Sequence, residues 1–478
     1  MMFRRWVHTP VAPKRRAVLK RQGSIDSSST ISLPTPPPAV ALDRVMQKSM
    51  ITGNVHGGAF AGSAWAKKPL FAREGQGESS FNSGREAVQK LQEEALRRDP
   101  FQSDYADSLR DITASLAPMI ELHPKLAWVT KQLMEPEAFS TFRVSWQDDL
   151  NNWRMNRGYR LVYSSALPPS GAQQILRLDH KLTHGLVRML GFEQVFQSAL
   201  NGVGGDQVLG ADLNPTSRSP QELARFTKAF CEAAGVPSHG LKLADAELTN
   251  TRARFATQLA HELLLVWDNK SNGLLGKRCV VTGSNKQSFA IAKQVCLAGG
   301  KLVGFADPTG FVFTETDGEE VADLESVLAL EQQLSLRGNA GGFAPCFHLN
   351  QRVHSKLEFN PIAAQVWQRT NPDVVFLSEG TVGELVEDDA IQLKAKLVVE
   401  CSDRACTTGA AMQLLNNNVM LAPSKLVLSG NGVDAKTRVQ QVITAAQEFG
   451  FATNNLNAGA SLAAFQHLAA SPMFKVPE

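Results

Sequence analysis

The chain has 478 residues, 43% of them hydrophobic and 20% charged, with a net charge of +3, enough for two domains with cores of their own. No apolar run reaches the ~20 residues of a membrane span, which excludes an integral helical membrane protein. The six cysteines (Cys231, Cys279, Cys296, Cys346, Cys401 and Cys406) form no CxxC pair and no His/Cys metal spacing, which argues for buried thiols in a reducing compartment.

The positive charge sits at the start. Residues 1–25 carry Arg4, Arg5, Lys14, Arg15, Arg16, Lys20 and Arg21 and no acid, with serines at Ser24 and Ser27 to Ser29. An Arg-rich, Ser-rich, acid-poor leader reads as a mitochondrial transit peptide and places the chain in the mitochondrial matrix. "SLPTPPPAVAL" and "GNVHGGAFAGSAW" leave no room for a packed element, so residues 26–85 read as a linker, with order from Glu86.

Residues 86–250 mix helices and strands. Leu109, Ile112, Leu116 and Ile120 share one helical face, with a bend expected at Pro118. "STFRVSW" and "WRMNRGYRLVYSSAL" read as strands joined by a turn from Asp148 to Asn152. "RMLGFEQVFQSAL" is a buried helix. "SRSPQELARFTKAFCEAAGVP" is a capped one, with Ser219 at the N-cap, Pro220 at the first helical position, and Gly235 and Pro237 at its end. His180 and His184 stand four apart, on one face if helical, but without the carboxylate motif of a metal site.

Residues 251–432 alternate short apolar strands with helices: "KRCVVTGS", "QSFAIAKQVCLAGG", "KLVGFAD", then "PDVVFLSEG", "VEDDAIQLKA", "KLVVEC", "GAAMQLLNN" and "VMLAP". This pattern predicts a parallel sheet covered on both faces. Residues 433–478 read as helices. Within "VVTGSNKQSFAIA" a glycine-rich turn follows a strand and opens a helix, where a dinucleotide fingerprint stands. Gly283 holds the first position, Asn285 the second and Ser288 the third, and Asp307 lies at the spacing of a ribose contact. Two readings stay open: a dinucleotide site, or a degenerate turn that keeps the fold and binds poorly.

"LMEPEAFSTFRVSWQDD", "NRGYRLVYSSAL", "LGFEQVFQSAL", "ADLNP", "VVTGS…FADPTG", "VMLAPSK" and "NAGASLAAF" together resemble the hexameric glutamate dehydrogenase family, within the Glu/Leu/Phe/Val dehydrogenase superfamily, in collinear order over about residues 88–470. The resemblance implies a two-domain α/β amino-acid dehydrogenase fold: an N-terminal substrate-binding and oligomerisation domain, a Rossmann-type doubly wound domain, and C-terminal helices closing back on the first. It also implies where the chemistry should be. The family's catalytic lysine falls on Val208 and its catalytic aspartate on Asn250. Arg177, Asp206 and Ala435 are remnants of the substrate pocket, and the family's Glu-Gly-Ala-Asn beside the nicotinamide falls on Glu400, Cys401, Ser402 and Asp403.

Val208 carries no charge and Asn250 accepts no proton at neutral pH. The resulting expectation is a pseudoenzyme without cofactor, serving as a structural or interaction subunit of a mitochondrial assembly such as the mitochondrial ribosome. Its partners are then protein subunits or a homo- or hetero-oligomer, with RNA met through an RNA-containing particle. The alternatives are an NAD(P)-dependent oxidoreductase with an altered substrate, using Arg177 and Asp206, or a regulatory partner of an active glutamate dehydrogenase.

Overall fold

The computed structural model describes residues 84–163, 174–201, 207–215, 218–237, 241–243, 246–267, 271–314, 322–336, 342–347, 357–430 and 434–471. All of them fall in one compact unit within Met50–Glu478. The expected leader, nearly all of the expected linker, and Asp206 lie outside the described residues.

Three helices open the fold: α1 (Gly84–Arg98), α2 (Ser103–Leu122) and α3 (Leu126–Leu133). The first begins at Gly84, so Gly84 and Arg85 belong to a helix and not to the linker. The periodic face of α2 is buried as its spacing dictates: Leu109, Ile112, Leu116 and Ile120 all lie in the core. Pro118 sits inside that helix.

The first sheet follows. β1 (Ala138–Gln147) and β2 (Trp153–Val162) form an antiparallel hairpin. At its turn the Asp148 carboxylate accepts from the backbone N–H groups of Leu150 and Asn152, and Asn151 takes the left-handed conformation (φ 61°) that Asn tolerates. β3 (Gln174–Leu178), α4 (His184–Leu200), β4 (Gln207–Ala211), α5 (Pro220–Ala234) and β5 (Leu241–Lys242) complete a five-stranded mixed sheet of order β1-β2-β4-β3-β5. Alternation sorts its side chains. Val144, Trp146 and Leu209 pack with Phe226 and Phe230 of α5, while Tyr159, Leu161 and Val208 join the core that holds Phe192 and Phe196 of α4. The caps of α5 are those its sequence announces: the Ser219 side chain accepts from Glu222 N–H, and Gly235 ends the helix at φ 65°.

The long α6 (Ala246–Trp267) leads to the second sheet, so the boundary expected at 250/251 lies inside a helix. β6 (Arg278–Thr282), α7 (Lys286–Leu297), β7 (Lys301–Asp307), β8 (Gly310–Phe313), α8 (Leu324–Leu336), α9 (Ala344–Phe347), β9 (Glu358–Asn360), α10 (Val366–Thr370), β10 (Val374–Leu377), α11 (Glu387–Gln392), β11 (Leu397–Glu400), α12 (Thr408–Asn416), β12 (Met420–Ala422) and α13 (Ser424–Val427) follow. The strand order is β12-β11-β10-β6-β7-β8-β9. From β12 to β7 the pairing is parallel, and β6, β10 and β11 are apolar runs buried on both faces. The five strands read from the sequence (β6, β7, β10, β11 and β12) are parallel, and two further strands extend one edge antiparallel: β8 returns on β7 because two residues between Asp307 and Gly310 suffice for a hairpin but not for a parallel crossover, and β9 pairs with β8.

α14 (Ala435–Glu448) and α15 (Leu456–Ala470) end the fold, and α15 packs back on α2 and α4. The α14–α15 approach is set by Gly459, where an added Cβ would press into the Val442 carbonyl. Helix propensity alone favours Gly459→Ala by about 1 kcal/mol, but overpacking costs about 1–3 kcal/mol. The expected outcome is a loss of stability, read as a lower midpoint in thermal or urea unfolding.

Candidate functional site

β6 ends in a turn at Gly283 (φ 89°), and α7 begins at Lys286, its N-cap being Asn285. A dinucleotide site uses the free N–H groups at such a helix start and the space above the glycine. Here Ser378 and Glu379 crowd the glycine, and the N–H groups are taken by Asn285. Its Oδ1 accepts from Gln287 N–H at 2.9 Å and Ser288 N–H at 3.1 Å, while its Nδ2 donates to the carbonyls of Ser378 at 2.7 Å and Glu379 at 3.1 Å. Ser288 Oγ donates to the same Ser378 carbonyl at 3.1 Å. A Cβ on Gly283 would meet Glu379 Cα at 2.7 Å and Ser378 O at 2.8 Å. The glycine therefore admits the loop after β10, and no ligand is needed to explain it.

That loop is acidic. Burial, with the Asp307 charge behind it, raises the Glu379 carboxyl against the pull of Lys181 and Thr381. Burial pushes Glu384 up to about 8; one of its oxygens meets Thr282 Oγ and the other accepts from Glu379 N–H at 3.0 Å. Asp307 stands where a ribose contact is expected, but Thr309 N–H and Oγ bond its Oδ1 at 2.8 and 2.5 Å and Phe343 N–H bonds Oδ2 at 2.8 Å. A pyrophosphate would meet carboxyl groups and a capped helix, and a ribose would meet a carboxylate already engaged. The residues at this turn do not fit a dinucleotide.

The positions expected to carry chemistry are not brought together. Val208 is 4% exposed, opposite Leu161 on β4 and in the apolar core. Asn250 is exposed in the first turns of α6. Ala435 is buried at the start of α14, capped by Asp434. Arg177 on β3 is ion-paired with Asp403, which also accepts from Gln197 Nε2 of α4 at 3.1 Å. Burial opposes that charge, but Arg177 and Gln197 outweigh it and hold Asp403 below the usual carboxylate range. Arg177 is thus paired from within, but Arg252 of α6 acts on the same pair as a second cation, its charge opposed by burial and by Arg177. His180 and His184 do not share a helix face: His180 lies in the turn before α4, whereas His184 opens that helix, stacked on Phe139 and bonded to Gln102. No metal-holding group of His, Cys, Asp and Glu occurs among the described residues.

The model of the Glu/Leu/Phe/Val dehydrogenase dimerisation domain matches residues 136–256, and that of glutamate/leucine/phenylalanine/valine dehydrogenase matches residues 258–435. The chain belongs to the Glu/Leu/Phe/Val dehydrogenase family. The NADP-specific glutamate dehydrogenase of Chlorella sorokiniana is 27% identical over 284 residues, which cover 52% of this chain and 54% of that enzyme, so the match spans about half the relative's length. The NADP-specific enzyme of Haemophilus influenzae is 26% identical over 400 residues, 74% of this chain and 85% of its own. Among solved structures, a glutamate dehydrogenase of Plasmodium falciparum superposes with a TM-score of 0.68 at 21% identity, covering 82% of this chain and 96% of that one, which establishes the shared fold.

In this member of the family, the loop matching the Glu-Gly-Ala-Asn string is a clasp between the two sheets' halves. Arg404, 9% exposed and at φ 45°, donates to Glu193 Oε1 at 3.2 Å, to Asp111 Oδ2 at 3.4 Å and to Thr408 Oγ at 3.0 Å. Glu193, fully buried on α4, also accepts from Ser108 Oγ at 2.5 Å. Asn457 of α15 holds the other oxygen of Asp111 at 2.8 Å. Glu400 fixes the base of the loop, accepting from the N–H groups of Cys406 at 2.6 Å and Ser424 at 2.7 Å. Gln287 Nε2 of α7 reaches the Cys401 carbonyl at 2.5 Å. Sequence reasoning missed Arg404 and Glu193. The available sign was an acid directly after the apolar run "MLGF" of a helix expected to be buried, since a buried carboxylate demands a partner.

Two outcomes follow. Arg404→Leu strands Glu193 in the core and should cost about 3–5 kcal/mol, most of it recovered when Glu193→Gln is added; urea unfolding of the double-mutant cycle measures this. For Glu384, the folded pKa of about 8 exceeds its ordinary 4.5. Between those values the folded chain retains a proton that the unfolded chain has released, so stability falls as pH rises through the window. Glu384→Gln keeps both hydrogen bonds and should flatten that decline, gaining roughly 3–4 kcal/mol at pH 8 over pH 5, read from unfolding midpoints.

Proposed function

We propose that this chain is a glutamate-dehydrogenase-like pseudoenzyme that works as a structural or interaction subunit in the mitochondrial matrix, within a large assembly such as the mitochondrial ribosome. The observation that carries the reading is Val208, at the position matching the family's catalytic lysine and sealed in an apolar core. An ammonium there would need to polarise a carbonyl, and a general acid–base group is worth about 10²–10⁴ in rate; a valine supplies neither. The internally bonded Asn285, Asp307 and Arg177 support the same reading, because a pocket satisfied by its own chain gains little from a ligand. The matrix location rests on the Arg- and Ser-rich leader.

A second reading, a regulatory partner of an active glutamate dehydrogenase, is favoured by the dimerisation-domain match over residues 136–256. The relatives' NAD(P)-dependent chemistry defines the test. Purified chain is titrated with NADH and NADPH to millimolar concentration by calorimetry, then assayed with 2-oxo diacids and ammonium. No saturable binding and no turnover are expected, and Val208→Lys alone should restore neither. Saturable turnover that Arg177→Ala abolishes would refute the pseudoenzyme reading. Migration of native protein from mitochondria as a free, active hexamer would refute the assembly.

A further inference from the structure

The loop after β10, from Ser378 to Gly383, lies over the turn at Gly283 as a strap with two hinges. Gly380 (φ 91°) and Gly383 (φ 71°) hold left-handed backbone, which glycine alone adopts freely. A Cβ on Gly380 would meet nothing within 4 Å. At its far end the strap is anchored by main chain: Gly383 N–H donates to the Arg404 carbonyl at 2.9 Å and Leu385 N–H to the Ala405 carbonyl at 2.8 Å. From Ser378 to Val382 no main-chain to main-chain hydrogen bond occurs among the described residues. Side chains hold that stretch down. Ser378 N–H donates to Thr282 Oγ at 2.9 Å and Glu379 N–H to Glu384 Oε2 at 3.0 Å, while the carbonyls of both accept from the Asn285 amide.

These bonds converge on one hydroxyl and one carboxyl. Thr282 Oγ accepts from Ser378 N–H, lies 3.3 Å from the Phe376 carbonyl and contacts Glu384 Oε1. A hydroxyl has one proton, which cannot serve that carbonyl and an ionised Glu384 together. A protonated Glu384 satisfies every partner: it donates to Thr282 Oγ, Thr282 donates to Phe376, and the second carboxyl oxygen accepts from Glu379. Charge points the same way. The acids acting on Glu384 are Glu379 of the strap and Glu400 at the end of β11, and the Cys401 and Cys406 thiols sit in its field. The other charges stand one step away: Asp307 and Lys181 act on Glu379, and Arg404 acts on Glu400. An ionised Glu384 adds a third negative charge to a largely covered site.

We infer that the strap is a proton-dependent latch: Glu384 holds it on the Gly283 turn while protonated, and loss of that proton releases it. On release the carboxylate reaches water, Asn285 and Ser288 lose the Ser378 carbonyl, and Lys181 of the first half loses the Glu379 charge. The space that Ser378 and Glu379 take above Gly283 then opens. The direction follows from proton linkage. The seated strap holds the Glu384 proton up to about 8, whereas a solvated Glu384 has the ordinary 4.5. Release therefore becomes more favourable as pH rises between those values, by about tenfold per pH unit, and levels off above the upper one.

The test is amide hydrogen exchange of the full chain across that pH range, corrected for the intrinsic pH dependence of exchange. Protection of the Ser378 and Glu379 amides should fall about tenfold per pH unit and then level off. At every pH it should lie at least about tenfold below that of α2, because local opening is more frequent than global unfolding. Glu384→Gln, which mimics the protonated acid, should remove the slope. Glu379→Gln, which removes a facing charge, should bring the levelling-off to lower pH, and it decides the matter if the first variant does not fold. Protection independent of pH in the unaltered chain, a slope that survives Glu384→Gln, a levelling-off unmoved by Glu379→Gln, or strap and α2 amides exchanging at one common rate would each overturn the latch. The readout needs no ligand, so its failure is distinct from any result of the cofactor and turnover assays.

Discussion

The fold turns on one buried cation. Arg404 leaves the second sheet on a left-handed backbone and enters a space walled by Glu193 and Asp111 of the first half. A guanidinium there is tolerable only if paired, and Glu193 is equally intolerable without it. Each group therefore fixes the position of an element far away in sequence. Because the loop from Cys401 to Cys406 is pinned at Arg404, Asp403 is held against Arg177 and the Cys401 carbonyl is held against Gln287. The cleft remnant and the nucleotide turn are thus closed by a single loop. Burial adds to the same effect at Glu400, whose two backbone hydrogen bonds hold the loop's base.

At the turn after β6 the chain's own groups fill the positions that the family's fingerprint leaves open. The first glycine of the family's fingerprint serves a tight turn; here Gly283, at that position, also makes room for Ser378 and Glu379. Asn285 caps α7 with one end of its amide and ties down the β10 loop with the other. A helix start must satisfy its free N–H groups somehow, and a side chain does so at all times, whereas a ligand does so only when bound. The Asn285 contacts at the turn therefore contribute stability without any ligand.

Much of the architecture was legible because it depends on short-range pattern. The apolar face of α2, the caps of α5, the Asp148–Asn152 turn and the buried parallel strands each follow from residues within a few positions of one another. The antiparallel β8–β9 edge was not read, since "DPTGFVF" shows an apolar run whose direction depends on the length of a two-residue turn. The vacancy at Val208 was visible as a missing lysine, but its burial was not. The clasp was invisible for a plainer reason. Arg404 and Glu193 are 211 residues apart, and nothing local in "SDRAC" says that its arginine is a core residue. Glu379 and Glu384 were likewise passed over, because their effect on a phosphate depends on a loop meeting a helix from another part of the sheet.

The distribution of satisfied and unsatisfied groups separates the interior of this molecule from its surface. In the interior, Arg404 is met by Glu193 and Asp111, while Arg177 and Arg252 share the one carboxylate of Asp403. On the outer hairpin the reverse holds. Arg143 and Arg157 face each other, and large apolar side chains stand in water beside them. Exposed Trp and Met on a strand tip contribute nothing to the core, while the opposed arginines weaken the hairpin that carries them. The hairpin tip thus carries a local cost that its own cross-strand contacts do not offset.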